Sequence, residues 1–136
     1  MSTALWLRVA SVWALLFTAG HAMGARKDWS PFGDSDVLKA MRNVRFDFQG
    51  VSRTYLDFYV GFGYTLSVFL LLQAVMLWQL ATIAKTRAAQ VRPIVATFAL
   101  ASLASALITW KFIFPVPAAF GAILTVLLAL AYFATS

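Results

Sequence analysis

The residue types best suited to chemistry lie close together near the start of a long apolar stretch. A guanidinium, a carboxylate and two phenols occur within seven residues, at Arg53, Tyr55, Asp57 and Tyr59. Ionisable groups near membrane depth are costly and tend to serve function. Asp57 or Asp47 could therefore accept a proton while Arg53 holds an anionic or carbonyl group. The alternative interpretation is an interfacial aromatic belt with an ion pair between Arg53 and Asp57, which are spaced i, i+4.

His21 is the single histidine of the chain and lies at the end of the first apolar segment. An imidazole titrates near neutral pH, so His21 could carry a proton or contact a polar ligand. The alternative is an interfacial histidine bonded to a backbone carbonyl or a lipid headgroup. A metal site is not expected, because the chain has no cysteine or glutamate to complete a ligand set around one histidine. No nucleotide loop or haem ligand pair occurs either, so no cofactor is expected.

Gln73 is the polar residue nearest the middle of the long apolar stretch. A buried amide needs a hydrogen-bond partner, so Gln73 could join two helices or contact a ligand. A ligand site built from all these groups would contain His21, Asp47, Arg53, Tyr55, Asp57, Tyr59 and Gln73.

The composition is that of an integral membrane protein with a single domain. The chain has 136 residues, of which 62% are hydrophobic and 12% charged, and its net charge is +6. In such a chain the basic residues serve lipid headgroups and topology, so nucleic acid is not an expected partner. With no cysteine, thiol redox and iron–sulfur chemistry are excluded.

Four apolar segments predict an all-α fold, a bundle of four transmembrane helices. The longest charge-free run, residues 58–84, has 27 residues and would form a helix of about 40 Å. A bilayer core needs only about 20 residues. Residues 4–24 resemble a signal peptide in part, but their charge-free run continues to Ala25 and favours a span. The predicted spans lie at about 4–24, 57–84, 93–111 and 116–135, with a short basic loop at 85–92.

The extramembrane loop 25–56 is predicted to contain an interfacial amphipathic helix between the first two spans. Asp34 or Ser35 can cap a helix over residues 36–48. One face of this helix is apolar and contains Val37, Met41, Val44 and Phe48. The other face is basic and contains Lys39, Arg42 and Arg45. Such a helix lies in the interface or covers one end of the bundle, with its basic face toward headgroups or an anionic ligand.

Small residues indicate where helices approach each other closely. Gly61 and Gly63 would admit a neighbouring helix, and the third span is rich in alanine and serine. With four spans, the long loop shares a side with Lys111, and the loop 85–92 shares a side with the termini. We expect the termini in the cytoplasm, because the loop 85–92 is basic and free of acidic residues.

The motif GHAMG, followed by MRNVRFDFQGVSRTYLDFYVGFGYTLSVFLLLQAVMLWQLA, resembles a family of small uncharacterised bacterial four-helix integral membrane proteins. The shared features are Gly-His at the end of the first helix and Asp-Phe-Tyr-x-Gly-Phe-Gly at the start of the second. The architecture is also similar to DoxX-like and emopamil-binding-type bundles, although the latter use glutamate, which this chain lacks. The resemblance implies a bacterial inner-membrane location and no particular activity.

Three functions fit these observations. The first is the binding of a lipid or another hydrophobic small molecule at the polar end of the bundle. The second is a membrane enzyme that acts on a lipidic substrate by proton transfer, with His21 and Asp57 as acid and base about 3 Å apart or at a shared ligand position. The third is a structural or accessory subunit whose small-residue third helix packs on a membrane-protein partner.

Overall fold

A computed structural model describes residues 1–134 of the chain. The structure is mostly helical, as predicted, and it also contains a short β-hairpin that was not predicted. Its elements in order are α1 (Thr3–Met23), a 3-10 helix (Gly24–Lys27), α2 (Asp36–Asn43), β1 (Arg45–Phe48), β2 (Val51–Thr54), α3 (Tyr55–Phe112) and α4 (Pro115–Phe133). The chain divides into two compact units, the first comprising Met1–Phe17 with Leu70–Ser136 and the second Thr18–Phe69.

Within the described residues, three helices are long and apolar enough to cross a membrane. They cover Thr3–Lys27, Tyr55–Phe112 and Pro115–Phe133. These helices support an integral membrane protein. The first and last agree closely with the predicted spans at about 4–24 and 116–135, although residue 135 lies outside the described part of the chain.

Helix α3 is 58 residues long and is interrupted at a single residue. Arg87 has φ −137° and ψ 46°, which is not helical, whereas the residues on both sides are helical. The predicted loop at 85–92 is thus reduced to one residue, and helix resumes about five residues before the predicted start of the third span at Pro93.

Hydrogen bonds to α1 show that the chain reverses direction at this break. Ser11 Oγ donates to Ala74 O at 2.7 Å, while Thr3 Oγ1 and Arg92 both donate to Ala134 O, at 3.2 and 3.3 Å. Residues 74 and 92 would be about 27 Å apart in a straight helix. Instead, both lie near a stretch of α1 that is nine residues long, so the segments of α3 on either side of Arg87 fold back on each other.

The core of the first unit uses a face of α3 that is rich in alanine, where most buried positions from Ala74 to Val95 are spaced alternately by three and four. Close helix packing follows because alanine allows backbones to approach. Gly121 of α4 shows how tight the packing is, since a Cβ atom there would lie 3.1 Å from the Cβ of Ala106. On α3, the buried positions are Ala74, Leu77, Leu80, Ala81, Ala84, Ala88, Val91, Val95, Ser102 and Ala106.

Helix α2 in the second unit is shorter than predicted. Ser35 caps it as expected, because its Oγ accepts a hydrogen bond from the Leu38 N–H at 3.2 Å. The helix ends at Asn43, and the next residues form β1 rather than a continuation to Phe48. The apolar face predicted for the longer helix is not buried. Leu38 is the buried apolar residue of α2, whereas Val37 is 71% exposed.

The hairpin that follows α2 is closed by a two-residue turn. Strands β1 and β2 pair antiparallel, with Phe48 opposite Val51, so Gln49 and Gly50 form the turn. Their φ values of 51° and 78° are both positive, as a type I′ hairpin turn requires. Gly50 therefore serves the hairpin turn.

Candidate functional site

The most elaborate arrangement of side chains in the second unit surrounds Trp29. Its indole ring lies between two glycines, one after α1 and one in α3. A Cβ atom at Gly63 would be 2.5 Å from ring carbons of Trp29, and a Cβ at Gly24 would also clash with the indole. Only glycine leaves room for the ring at these two positions. We call the group formed by His21, Gly24, Trp29, Gly63 and Ser67 the Trp29 site.

Three hydrogen bonds hold Trp29 in place. Its backbone N–H donates to Gly24 O at 2.8 Å, and its indole Nε1–H donates to His21 O at 2.9 Å. The Tyr59 hydroxyl donates to Trp29 O at 3.2 Å. An indole N–H needs a partner when it leaves water, and the carbonyl at the end of α1 supplies one.

The backbone that carries Trp29 is strained. Asp28 and Trp29 have φ values of 50° and 52°, in the left-handed region that residues other than glycine rarely adopt. Such conformations cost of order 1–3 kcal/mol each and persist only where their surroundings impose them. Here the Arg42 guanidinium contributes, since it pairs with Asp28 at 3.1 Å and with Asp34 at 3.0 Å.

His21 faces α3 and lies next to the indole. Its Nδ1 is 3.0 Å from Ser67 Oγ, and Ser67 Oγ lies 3.1 Å from the Gly63 carbonyl oxygen. The imidazole and indole centroids are 5.5 Å apart. On the other side, the Tyr64 ring meets Trp29 edge to face at 5.1 Å. A hydroxyl and an imidazole in contact can exchange a proton, so this pair could take part in acid–base chemistry.

Asp57 has a structural partner in the sequence segment before it. The Thr54 N–H donates to Asp57 Oδ2 at 2.9 Å, and the Asp57 N–H donates to Thr54 Oγ1 at 3.0 Å. This reciprocal pair is a capping box, and it satisfies two backbone donors at the start of α3. The carboxylate of Asp57 is thus used to begin the helix.

The predicted ion pair between Arg53 and Asp57 does not form. Arg53 lies in β2, where the i, i+4 geometry of a helix does not apply, and its guanidinium donates to Ser52 O at 2.9 Å. The ion pairs within residues 1–134 join Arg42 to Asp28 and Asp34, and Lys39 to Asp36. The basic face of α2 is therefore partly neutralised by the loop that precedes it.

His21 and Asp57 are not brought together either. Ser67, the partner of His21, lies ten residues after Asp57 on the same helix, which corresponds to about 15 Å along its axis. The acid–base pair that a proton-transfer enzyme would need between His21 and Asp57 is thus not present in this arrangement.

The remaining candidates occupy separate positions. Tyr59 contacts the Trp29 site through its hydroxyl. The Tyr55 ring tilts against Phe46 of the hairpin, with centroids 5.1 Å apart. Asp47 is exposed on β1, opposite Ser52. Gln73 is half-buried and belongs to the first unit. Of the predicted ligand residues, the structure groups His21 and Tyr59 around Trp29.

The sequence alone did not predict the central residue of this site or most of its neighbours. Trp29, Gly24, Tyr64 and Ser67 were not among the candidates. The spacing of Gly63 and Ser67 was a usable signal, because residues four apart share a helix face. The two glycines that enclose Trp29 could have been connected only through the fold.

Within residues 1–134, no group of three or more histidine or aspartate side chains is placed to hold a metal ion. Comparisons with protein-family models, curated proteins and solved structures find no match to the chain. The resemblance to small bacterial four-helix membrane proteins therefore stays a prediction.

Proposed function

We propose that the chain is a four-span protein of the bacterial inner membrane that binds a lipid or another hydrophobic small molecule at the Trp29 site. The observation that carries this proposal is the cradle between Gly24 and Gly63, which holds the flat, apolar indole ring of Trp29. A cradle that accepts this ring is also suited to a ligand with a flat apolar body and one polar group.

Trp29 acts as a resident plug of the site. Its loop is held in a left-handed backbone conformation that costs free energy. When Trp29 leaves the cradle, that strain is released, which offsets part of the lost contacts. A hydrophobic ligand would then meet the His21 imidazole, the Ser67 hydroxyl and the Tyr64 ring, a few polar groups in apolar surroundings.

The neighbouring surface of α3 suits entry of such a ligand from a membrane. Aromatic rings cover it, and Tyr55, Phe58 and Phe62 are each at least half exposed. Phe58 stacks edge to face on Phe62 at 4.8 Å. Aromatic rings of this kind favour the region between lipid tails and headgroups.

Four spans follow if each half of α3 crosses the bilayer. Residues 55–86 and 88–112 contain 32 and 25 residues, and a span needs about 20. Both termini then share a side with Lys85, Arg87 and Arg92. The opposite side carries seven basic residues against four on this one, but we place the termini in the cytoplasm because the loop 85–92 is compact, basic and free of acidic residues.

The test is native mass spectrometry, with lipid extraction, on the purified full chain and its variants. We expect a defined copurifying molecule whose occupancy rises in Trp29→Ala, because the plug is gone, and falls in Trp29→Ala combined with His21→Ala. Arg53→Ala is the control, since the Arg53 side chain bonds only its neighbour Ser52. The same nonspecific lipids in all four proteins would overturn the proposal.

A membrane enzyme is the second candidate, and the contact between His21 and Ser67 favours it. The Ser67 hydroxyl donates to Gly63 O at 3.1 Å. If it rotated toward His21 Nδ1, 3.0 Å away, its proton would be within reach of a base. In this case a fluorophosphonate probe should label the purified protein at Ser67. Ser67→Ala should abolish labelling, and Ser52→Ala should not. If the wild type is not labelled, this second candidate fails.

A further inference from the structure

A groove in the first unit runs along one side of α1. Its volume is about 340 Å³, and its lining is wholly apolar, with Arg8 at one end contributing the carbon atoms of its side chain. The residues that line it are Arg8, Val9, Val12, Trp13, Leu16 and Trp78.

Arg8 at the end of this groove has no carboxylate side chain near it in the first unit. Its guanidinium carbon lies 4.4 Å from the centroid of the Trp78 ring. The ion pairs described for residues 1–134 all lie between Asp28 and Arg42. The five acidic residues of the chain all fall between positions 28 and 57, so they belong to the second unit.

The stacking on Trp78 holds the guanidinium and leaves its N–H groups for another partner. Arginine stacks on aromatic faces and can still donate two parallel hydrogen bonds to a phosphate or carboxylate. The groove wall is also fixed. Trp13 Nε1 donates to Phe120 O at 3.0 Å, and the two rings stack at 4.6 Å.

The length of the groove matches one leaflet of a bilayer. Arg8 and Leu16 are eight residues apart, which is about 12 Å along the helix axis. Half of the hydrocarbon core is about 15 Å thick. A molecule with its anionic group at Arg8 would therefore extend an apolar chain toward the membrane midplane, past Val9, Val12 and Leu16.

Other basic residues lie at the same end of the first unit. Thr3 and Arg92 both bond Ala134 O, so the start of α1 and the segment after the α3 break are neighbours. Arg87 is the residue at that break, and Lys85 lies two residues before it. This end of the unit combines positive charge with an apolar groove.

We infer that the groove binds one anionic phospholipid, with the phosphate on Arg8 and one acyl chain along α1. An isolated phosphate ion would gain nothing from the apolar wall, whereas an acyl chain buries it. This site belongs to the first unit and is independent of the Trp29 site, which belongs to the second.

The test titrates the detergent-solubilised full chain with phosphatidylglycerol or phosphatidylcholine and follows the bound lipid by native mass spectrometry. Phosphatidylglycerol should bind more tightly, and Arg8→Gln should weaken it about fivefold, as expected for one basic residue near an anionic headgroup. Lys85→Gln removes the same charge at the same end but outside the groove, and should weaken binding much less than Arg8→Gln does.

Two further measurements test whether the acyl chain contributes to binding. Val12→Phe fills the groove and should weaken both lipids while the charge stays in place. Excess inorganic phosphate should not displace bound phosphatidylglycerol. The proposal is overturned if the wild type binds both lipids equally, if Lys85→Gln matches Arg8→Gln, if Val12→Phe binds both lipids as the wild type does, or if phosphate alone displaces the lipid.

Discussion

A Cβ atom added to Gly63 would lie 2.5 Å from ring carbons of Trp29, a residue 34 positions earlier in the chain. The absence of a side chain at one position of α3 is therefore what admits the indole of the preceding loop. Gly61, two positions earlier on the same helix, has open space around its missing Cβ. The two glycines look alike in sequence and differ completely in their surroundings.

Gly63→Ala should expel the Trp29 ring, whereas Gly61→Ala should leave it in place. Overpacking of this kind costs about 1–3 kcal/mol, while alanine is favoured over glycine in an open helical position by up to about 1 kcal/mol. Hydrogen exchange followed by mass spectrometry should show faster exchange at residues 24–35 in Gly63→Ala and no change in Gly61→Ala. Equal exchange in both variants would mean that the cradle does not hold the ring.

The sequence predicted those features that depend on neighbouring residues. The apolar runs predicted helices whose ends agree with α1 and α4 within a few residues, because helix formation is decided by local periodicity and capping. Asp34 or Ser35 is predicted as a cap for the same reason, and the structure shows Ser35, whose side chain reaches a backbone N–H only three residues away. The mostly helical fold class is confirmed on this basis.

Features that depend on distant contacts were not predicted. Residues 45–54 read as helix followed by a linker, yet they form a hairpin, because two consecutive residues with positive φ turn the chain at Gln49 and Gly50. The Trp29 site joins α1, a loop and α3, and no local pattern connects His21 to Ser67 across 46 residues. Because Arg53 and Asp57 are close in sequence and oppositely charged, they were predicted as site residues instead. In the structure, the Asp57 carboxylate belongs to the capping box of α3.

The capping box gives a test of whether Asp57 is structural or chemical. Thr54→Ala should lower the free energy of unfolding by about 1 kcal/mol, the usual cost of losing an N-cap. Asp57→Asn keeps an oxygen that can accept the Thr54 N–H and should melt close to the wild type, whereas Asp57→Ala should melt lower. Thermal unfolding in detergent measures all three.

The same Asp57 variants separate the cap from a proton acceptor. An amide cannot take up a proton as a carboxylate does, so a chemical role predicts that Asp57→Asn loses function as fully as Asp57→Ala. A structural role predicts that the copurifying molecule is retained in Asp57→Asn. Loss of that molecule in a normally folded Asp57→Asn protein would show that the Asp57 carboxylate contributes to ligand binding.

Labelling at two positions, one before α3 and one at its end, tests whether both halves of α3 cross the membrane. Ser52 lies in the hairpin before α3 and Lys111 at its end, and both are exposed. Because the chain has no cysteine, Ser52→Cys and Lys111→Cys each introduce a single labelling site. If each half of α3 crosses the membrane, an impermeant maleimide should reach both sites from the same face. If α3 crosses once, the two sites label from opposite faces, and the chain has three spans. Ser2→Cys then gives the orientation, and with cytoplasmic termini it should react only after the membrane is permeabilised.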